Sequence, residues 1–491
     1  MTADSVHPAG RRHFADGVAR GFAAELLLLP TGLVTAAVLT RVLGPAGYGV
    51  FTLAATLVTW LAWTTTTFLA RAAVKFVSDA DDWRPVAASV LRWRLAIGLG
   101  ATLLLIAAAG PVARALNRPE LTPYLRVFAV DLLFFNLARA YREVLTGRGR
   151  FREVALVSSA RWLARMALIV VLVEATGSVM GAVAGSVGAT LVELLVALRL
   201  QPLSLRGRGG VRLAEMWSLA APLMVYGAAM QLFSKVDLFA LSALGGSASE
   251  AGLYGAAQNL AVAPGLFALA LGPLLLATLV RLHRAGQDEE ARVVGRSALR
   301  VTYALVPFAA LVAGAATQIM HVIFGAAFAT AGPLLALLFA AAVALAVMAV
   351  AVSIITAVDH PRLVSAIGVS VLAAAIVGHL LLIPRLGSAG AALVSAGVGA
   401  LGALVSVALV HRVWHVHAYA TLARAALIAG PAYWASSVIA TPRPLALVLE
   451  LSALSLLVAA TFLVIGELAP DERRYWWSLR PRWRSARVGV D

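Results

Sequence analysis

A chain of 491 residues that is 61% hydrophobic and 13% charged, with mean hydropathy +0.88, is too oily for a soluble globular protein, where about 45–50% apolar and about 25% charged residues are usual. Its formal net charge of +16 would point a soluble protein toward nucleic acid. Here the Lys and Arg sit in short connections between oily runs, so membrane topology accounts for them, while the absence of cysteine excludes disulfides, thiolate nucleophiles and cysteine metal sites.

The apolar excess falls into windows of roughly 20 residues, enough to cross a bilayer as a helix, without the short alternating segments of a barrel. Residues 1–18 read as a cytoplasmic segment lacking a signal peptide's apolar core, so the first span is expected to serve as its own uncleaved signal. Fourteen spans follow, with edges good to about three residues. They lie near 19–40, 50–70, 90–110, 124–146, 153–174, 178–199, 216–243, 252–280, 299–322, 332–357, 362–383, 388–410, 422–441 and 445–466. The runs at 216–243 and 252–280 are long enough for strongly tilted helices. A basic, aromatic tail at 467–491 contains ERRYWWSLRPRWRSAR and suits an interfacial position on anionic lipid.

With the N-terminus inside, the even connections and both termini carry about 31 Lys and Arg against about 6 outside. A missed span would flip every later loop and spoil that asymmetry. Twelve spans remain if the last pair is misread.

The phrase LGPAGYG at 43–49 returns in LGGSASEAGLYGA at 244–256, placing Tyr48 and Tyr254 about 206 residues apart. Arg71 before DADDW matches Arg281 before GQDEEAR, and TGSVMGAVAGSVGATL matches LGSAGAALVSAGVGAL, both at about 210 residues. Six spans are thus repeated as the next six. The expected fold is all-α and polytopic: a lobe at 19–200, a second at 201–412 related by a pseudo-twofold axis along the membrane normal, and two extra helices at 413–466. LGPAGYG and its partner are read as outer hairpin turns, with Gly and Pro permitting the reversal and Tyr suited to the membrane interface.

RVLGPAGYGVFTLAATLV, an Asp late in span seven before GLYGAAQNL, and LGSAGAALVSAG at the entry to span twelve together resemble the polysaccharide transporter family of oligosaccharide flippases. These belong to the multidrug/oligosaccharidyl-lipid/polysaccharide exporter superfamily. The resemblance runs over about residues 20–466, including the six-plus-six repeat. It implies translocation of an undecaprenyl-pyrophosphate-type lipid-linked oligosaccharide from the cytoplasmic to the outer leaflet, by alternating access. It also implies a bacterial cytoplasmic membrane, membrane lipids as surroundings, and glycosyltransferases and a polymerase of one pathway as partners. No GxxxxGK[ST] motif occurs, in keeping with transport without ATP.

Such a substrate needs a wet, cationic cavity, because phosphate cannot cross hydrocarbon unpaired, and intramembrane charges are functional hypotheses by default. Arg161 and Arg165 share one face of span five at i, i+4. They lie roughly 12 and 18 Å from its cytoplasmic end. The alternative is pairing with Glu193 or Asp131. In span seven, Lys235 shares a face with Gln231 and projects away from Asp237, so the two cannot pair on a regular helix. The family often has an Asp where Asp237 stands, which makes it a candidate for coupling or for pairing between the lobes. Span four carries a stripe of Asp131, Asn136, Arg139, Arg142 and Glu143, in which Arg139 and Glu143 are expected to pair locally. Arg139 remains a cavity candidate. Arg41 and Arg71 can snorkel at span ends, though the resemblance favours Arg41 for the cavity. Glu25 is a second coupling candidate, with a structural salt bridge as the alternative. His379 and His321 lack a second ligand at metal spacing and read as hydrogen-bonded packing residues.

No cofactor is expected; H+, Na+ or the membrane potential is left as the driving force. The alternatives are a multidrug or cation antiporter, a lipid II flippase of the same superfamily, and a polytopic glycan enzyme. The basic linings disfavour a cationic drug, and outer loops of at most about a dozen residues disfavour an enzyme.

Overall fold

The computed structural model describes residues 27–205, 224–358, 361–416 and 418–465. The N-terminal segment with Glu25, the side chain of Arg71, the first part of span seven and the basic tail lie outside the described residues. Every regular element among the described residues is helical. The N-terminal group comprises α1 (Leu28–Asp79), α2 (Trp83–Ala115), α3 (Leu121–Gly147), α4 (Phe151–Thr176) and α5 (Val179–Leu200). The C-terminal group runs through α6 (Met224–Ala243), α7 (Ala248–Leu260), α8 (Ala263–Arg284), α9 (Asp288–Tyr303), α10 (Leu305–Gly314) and α11 (Ala316–Phe324). After a 3-10 turn at Ala326–Ala331 come α12 (Gly332–Ala357), α13 (Pro361–Trp414), α14 (Tyr419–Ile439) and α15 (Pro444–Val464). Among the described residues ten helical stretches are long and apolar enough to cross a membrane, one of them running through α9 and α10.

Helix α1 holds the described part of the first predicted span and all of the second, and α13 holds the eleventh and twelfth. A straight helix of 52 residues would be about 78 Å long, over twice the hydrocarbon core. The chain therefore turns at Gly44, whose φ of 65° and ψ of −178° break the helix just before Pro45. Gly387 breaks α13 likewise, at φ 56°, and Gly177, which the repeat aligns with it, has φ 58°. These left-handed values suit glycine because it has no Cβ to clash.

Two predicted spans are broken. The run at 252–280 divides into α7 and α8 where Pro264 enters at the start of α8. The run at 299–322 divides into parts of α9, α10 and α11: Pro307 has no N–H to donate to Tyr303, and the chain breaks at Ala304 between them. Caps fix several starts. Ser178 accepts from Gly181 N at α5, and Ser247 with Glu250 forms a reciprocal capping box at α7.

Core packing fixes the relation of the two groups. One large core joins Leu39, Leu53, Leu125 and Phe128 to Leu241, Tyr254, Phe324 and Leu335. Toward the side assigned to the cytoplasm, Leu69, Leu91, Tyr141 and Leu194 form one core, and Phe233, Leu279, Val350 and Val416 form another. Among the described residues the groups thus share a core at their outer ends and have separate cores at their inner ends. Helices α14 and α15 pack on α10 through Leu311, Ala425 and Phe462.

Candidate functional site

The outer closure is built around the opening phrase. A Cβ on Gly49 of α1 would lie 1.9 Å from the Ala248 carbonyl oxygen, and one on Gly252 of α7 would lie 2.0 Å from that of Pro45. Only paired glycines let the two backbones touch this way. The tyrosines beside them are buried, not at the membrane surface as expected from their amphipathic rings. Each hydroxyl has a partner that burial requires: Tyr48 OH accepts from Asn259 Nδ2 at 2.6 Å, and Tyr254 OH donates to Asp237 at 2.7 Å. The repeated phrase is therefore a close crossing between the two groups as well as a turn.

Further bonds cross the same layer. Asn117 donates to the Ala243 carbonyl at 2.8 Å, Arg118 to that of Gly246, and Ser242 to that of Leu116 at 2.8 Å. Arg41 donates to the Val322 carbonyl at 3.2 Å. Placed among the cavity cations by the sequence, Arg41 instead lies beside the outer turn with its guanidinium on the C-terminal turn of α11. Cations and amides from one group thus meet carbonyls at the negative ends of α6 and α11.

Below this layer, α3, α4 and α5 bring most of the predicted intramembrane charges together. Counted from their outer ends at 1.5 Å per residue, Asp131, Arg165 and Thr190 lie roughly 15–17 Å deep, and Glu193 and Arg161 roughly 21–23 Å. Arg139 and Arg142 lie roughly 27–32 Å from those same helix ends. The arginines thus descend as a staircase away from the closed layer. Asp131 has Arg161 and Arg165 as charged neighbours and Thr190 as its hydroxyl neighbour. Its Oδ1 has no hydrogen-bond partner among the described residues. Glu193 of α5 is shared: Oε2 lies 3.3 Å from Arg161 Nε and Oε1 lies 3.5 Å from Arg142 Nη1. The Arg161 guanidinium also lies over Phe135 at 4.7 Å and Trp162 at 5.2 Å.

Arg139 differs from the sequence expectation. Glu143 does not pair with it; that carboxylate is bound through both oxygens by Arg94 of α2, with Arg94 Nε donating at 3.2 Å. Arg94 also donates to the carbonyls of Thr65 and Thr66 at 2.9 Å and is 1% exposed. Three well-aligned partners on two elements outcompete the single local one. Arg139 is left facing the rings of Trp63 at 5.8 Å and Phe135 at 5.9 Å, with no carboxylate in ion-pair range among the described residues. Sequence reasoning did not single out Arg94 or Trp63. An arginine four residues inside the predicted edge of span three was the available signal, and it reads there as a snorkelling end charge.

In the C-terminal group, Lys235 is half-buried and Asp237 is its charged neighbour. The side chains diverge, as the helical spacing requires. Asp237 is buried and accepts from Tyr254, from Gln258 at 3.0 Å, and from Leu238 N at 2.8 Å. It therefore ties α6 to α7 within its own group. His379 of α13 is 1% exposed, lies within electrostatic reach of Asp237, and has no hydrogen-bond partner for its Nδ1 among the described residues. Those residues hold no cluster of three His, Asp or Glu suited to a metal.

A family model described as polysaccharide biosynthesis protein matches residues 16–275. No curated protein matches the sequence. Among solved structures, the lipid II flippase MurJ in an inward closed conformation superposes with a TM-score of 0.71 at 14% identity, over 90% of this chain and 98% of that one. An inward-facing multidrug resistance MATE family transporter of the MOP superfamily superposes at TM-score 0.59 and 15% identity, over 82% and 95%. A MOP superfamily transporter from Pyrococcus furiosus, described by the reverse polarity of its binding pocket, gives 0.52 at 14% identity, over 85% and 95%. At these identities the likeness establishes the fold.

Proposed function

The chain belongs to the polysaccharide biosynthesis protein family, and from that premise we propose that it is a flippase moving an undecaprenyl-pyrophosphate-type oligosaccharide from the cytoplasmic to the outer leaflet. The observation that carries this reading is the staircase of Arg139, Arg142, Arg161 and Arg165 beneath a layer closed by Gly49 and Gly252. A diphosphate is the group that cannot enter the bilayer without such partners, and guanidinium matches its oxygens in pairs. The aromatic rings of Trp63, Phe135 and Trp162 beside those cations suit the apolar faces of sugar rings.

In this conformation the outer carbonyl bonds and the glycine crossing are formed, while the inner ends have separate cores. The head group enters from the inner leaflet and rises along the arginines. Opening outward then requires the bonds at Asn117, Arg118, Ser242 and Asn259 to break, with the apolar carrier chain remaining in lipid. Lys235 extends the cationic lining on the opposite wall. Coupling to H+, Na+ or the membrane potential falls to Asp237 in this reading, with Glu25 the other candidate. The setting is a bacterial cytoplasmic membrane with both termini inside, and the partners are enzymes that build and polymerise the glycan.

The test is the inner-leaflet pool of lipid-linked oligosaccharide in cells lacking the protein. Accumulation, relieved by the wild-type chain but not by Arg161→Ala or Arg165→Ala, supports the reading. An unchanged pool with lost efflux of cationic dye would replace it with drug antiport. A second reading, transport of lipid II, shares the anion chemistry and the likeness to MurJ; the glycan on the accumulated lipid separates the two.

A further inference from the structure

Glu193 is an acid at the centre of a site that must receive an acid. It is 1% exposed, yet its two ion pairs are long, at 3.3 and 3.5 Å, and Oε2 has no hydrogen bond among the described residues. A carboxylate serving only as a structural anchor would resemble Glu143, whose two oxygens are both bonded by Arg94. Glu193 instead bridges Arg142 of α3 and Arg161 of α4 without closing a well-aligned bond to Arg161. Arg139, one helical turn above Arg142 on the same helix, lies within its electrostatic reach and holds no carboxylate of its own in ion-pair range among the described residues.

Resting on the flippase reading, we infer that Glu193 is a resident counter-anion: it occupies the Arg161 subsite when the cavity is empty and yields it to the substrate's diphosphate. Arg161 and Arg165, at i, i+4 on one face of α4, then hold the phosphate oxygens. The displaced carboxylate stays with Arg142 and turns toward Arg139. Arg142 and Arg161 each keep an anion in both states, and no buried carboxylate is stranded. Glu193 is thus a positioning residue that tunes how tightly the site holds an anion, so that the head group is bound without being trapped.

The sign of a substitution separates this role from a structural one. Inorganic pyrophosphate is titrated calorimetrically into the purified full-length protein in detergent at low salt. Glu193→Gln keeps the shape and removes the competitor, and it binds pyrophosphate on the order of tenfold more tightly than wild type. Arg161→Ala binds it more weakly. Glu193→Asp, too short to span both arginines, falls between wild type and Glu193→Gln, and it carries the test if Glu193→Gln does not fold. If wild type binds pyrophosphate and Arg161→Ala weakens it, but the Glu193 variants bind no tighter than wild type, the counter-anion role is overturned while the site stands. If wild type does not bind, or Arg161→Ala binds equally well, the site itself fails and this inference falls with it.

Discussion

Replacing Gly252 by alanine strikes the outer closure at its tightest point. The added Cβ would lie 2.0 Å from the Pro45 oxygen and 3.0 Å from the Gly49 nitrogen. Ordinary contact begins near 3.4 Å, so the backbones of α1 and α7 must part by about 1.4 Å in a layer that packs like a crystal. Overpacking of this kind costs roughly 1–3 kcal/mol. The Tyr48–Asn259 bond, 2.6 Å at present, would stretch past bonding range, adding about 1 kcal/mol. The closed state loses roughly 2–4 kcal/mol, and since each 1.4 kcal/mol is a factor of ten, opening is favoured by roughly 30-fold to several hundredfold. Because the sequence has no cysteine, a single introduced thiol reports this cleanly. Ala256 is fully buried and lies at i+4 from Gly252 and i−3 from Asn259, on the face that meets α1. Ala256→Cys in intact cells should react with an impermeant maleimide at least ~10 times faster when Gly252→Ala is present. Equal labelling rates at equal protein levels would refute the reasoning that this crossing holds the outer side shut.

Other consequences follow from named contacts. Asn117→Ala combined with Arg118→Ala removes two bonds to the end of α6 and should raise labelling at Ala256→Cys by roughly 30-fold, at about 1 kcal/mol per bond. Arg94→Met alone strands the buried Glu143 carboxylate and should destabilise the purified protein by about 3–5 kcal/mol, read by thermal unfolding in detergent. The double variant Arg94→Met with Glu143→Leu should recover most of that loss, which a role in substrate binding would not permit. Lys235→Ala should stop polysaccharide export while leaving the protein in the membrane, since no carboxylate in ion-pair range depends on it among the described residues. Normal export would remove it from the cavity wall.

That the chain folds into a set of long apolar helices was legible because hydrophobic length acts on the whole sequence at once. The turn phrases were legible because glycine leaves a short, recognisable mark, and Gly44 and Gly387 do break their helices at positive φ. The breaks at Ala304 and before Pro264 were less visible, since hydropathy windows average over a single proline. At the site, the mid-depth arginines were readable as costly charges, but their partners were not. Arg94 takes Glu143 from Arg139 across two helices, and no local spacing encodes that competition. Tyr48 and Tyr254 went the same way: an amphipathic ring suits a membrane surface equally well in sequence, and only the glycine crossing shows that these rings are enclosed. Arg41 was placed in the cavity by analogy, whereas its position beside Gly44 ties it to the outer layer.

The most direct test of the central claim is translocation itself. Purified wild type and Arg161→Ala/Arg165→Ala are reconstituted into liposomes carrying an undecaprenyl-diphosphate oligosaccharide, and its exposure is followed with a glycan-cleaving enzyme added to one side. The account predicts that wild type moves the lipid across the bilayer and that the double variant, folded and inserted equally, does not. Equal translocation by both, or none by wild type under conditions where it exchanges a cationic dye, would contradict it.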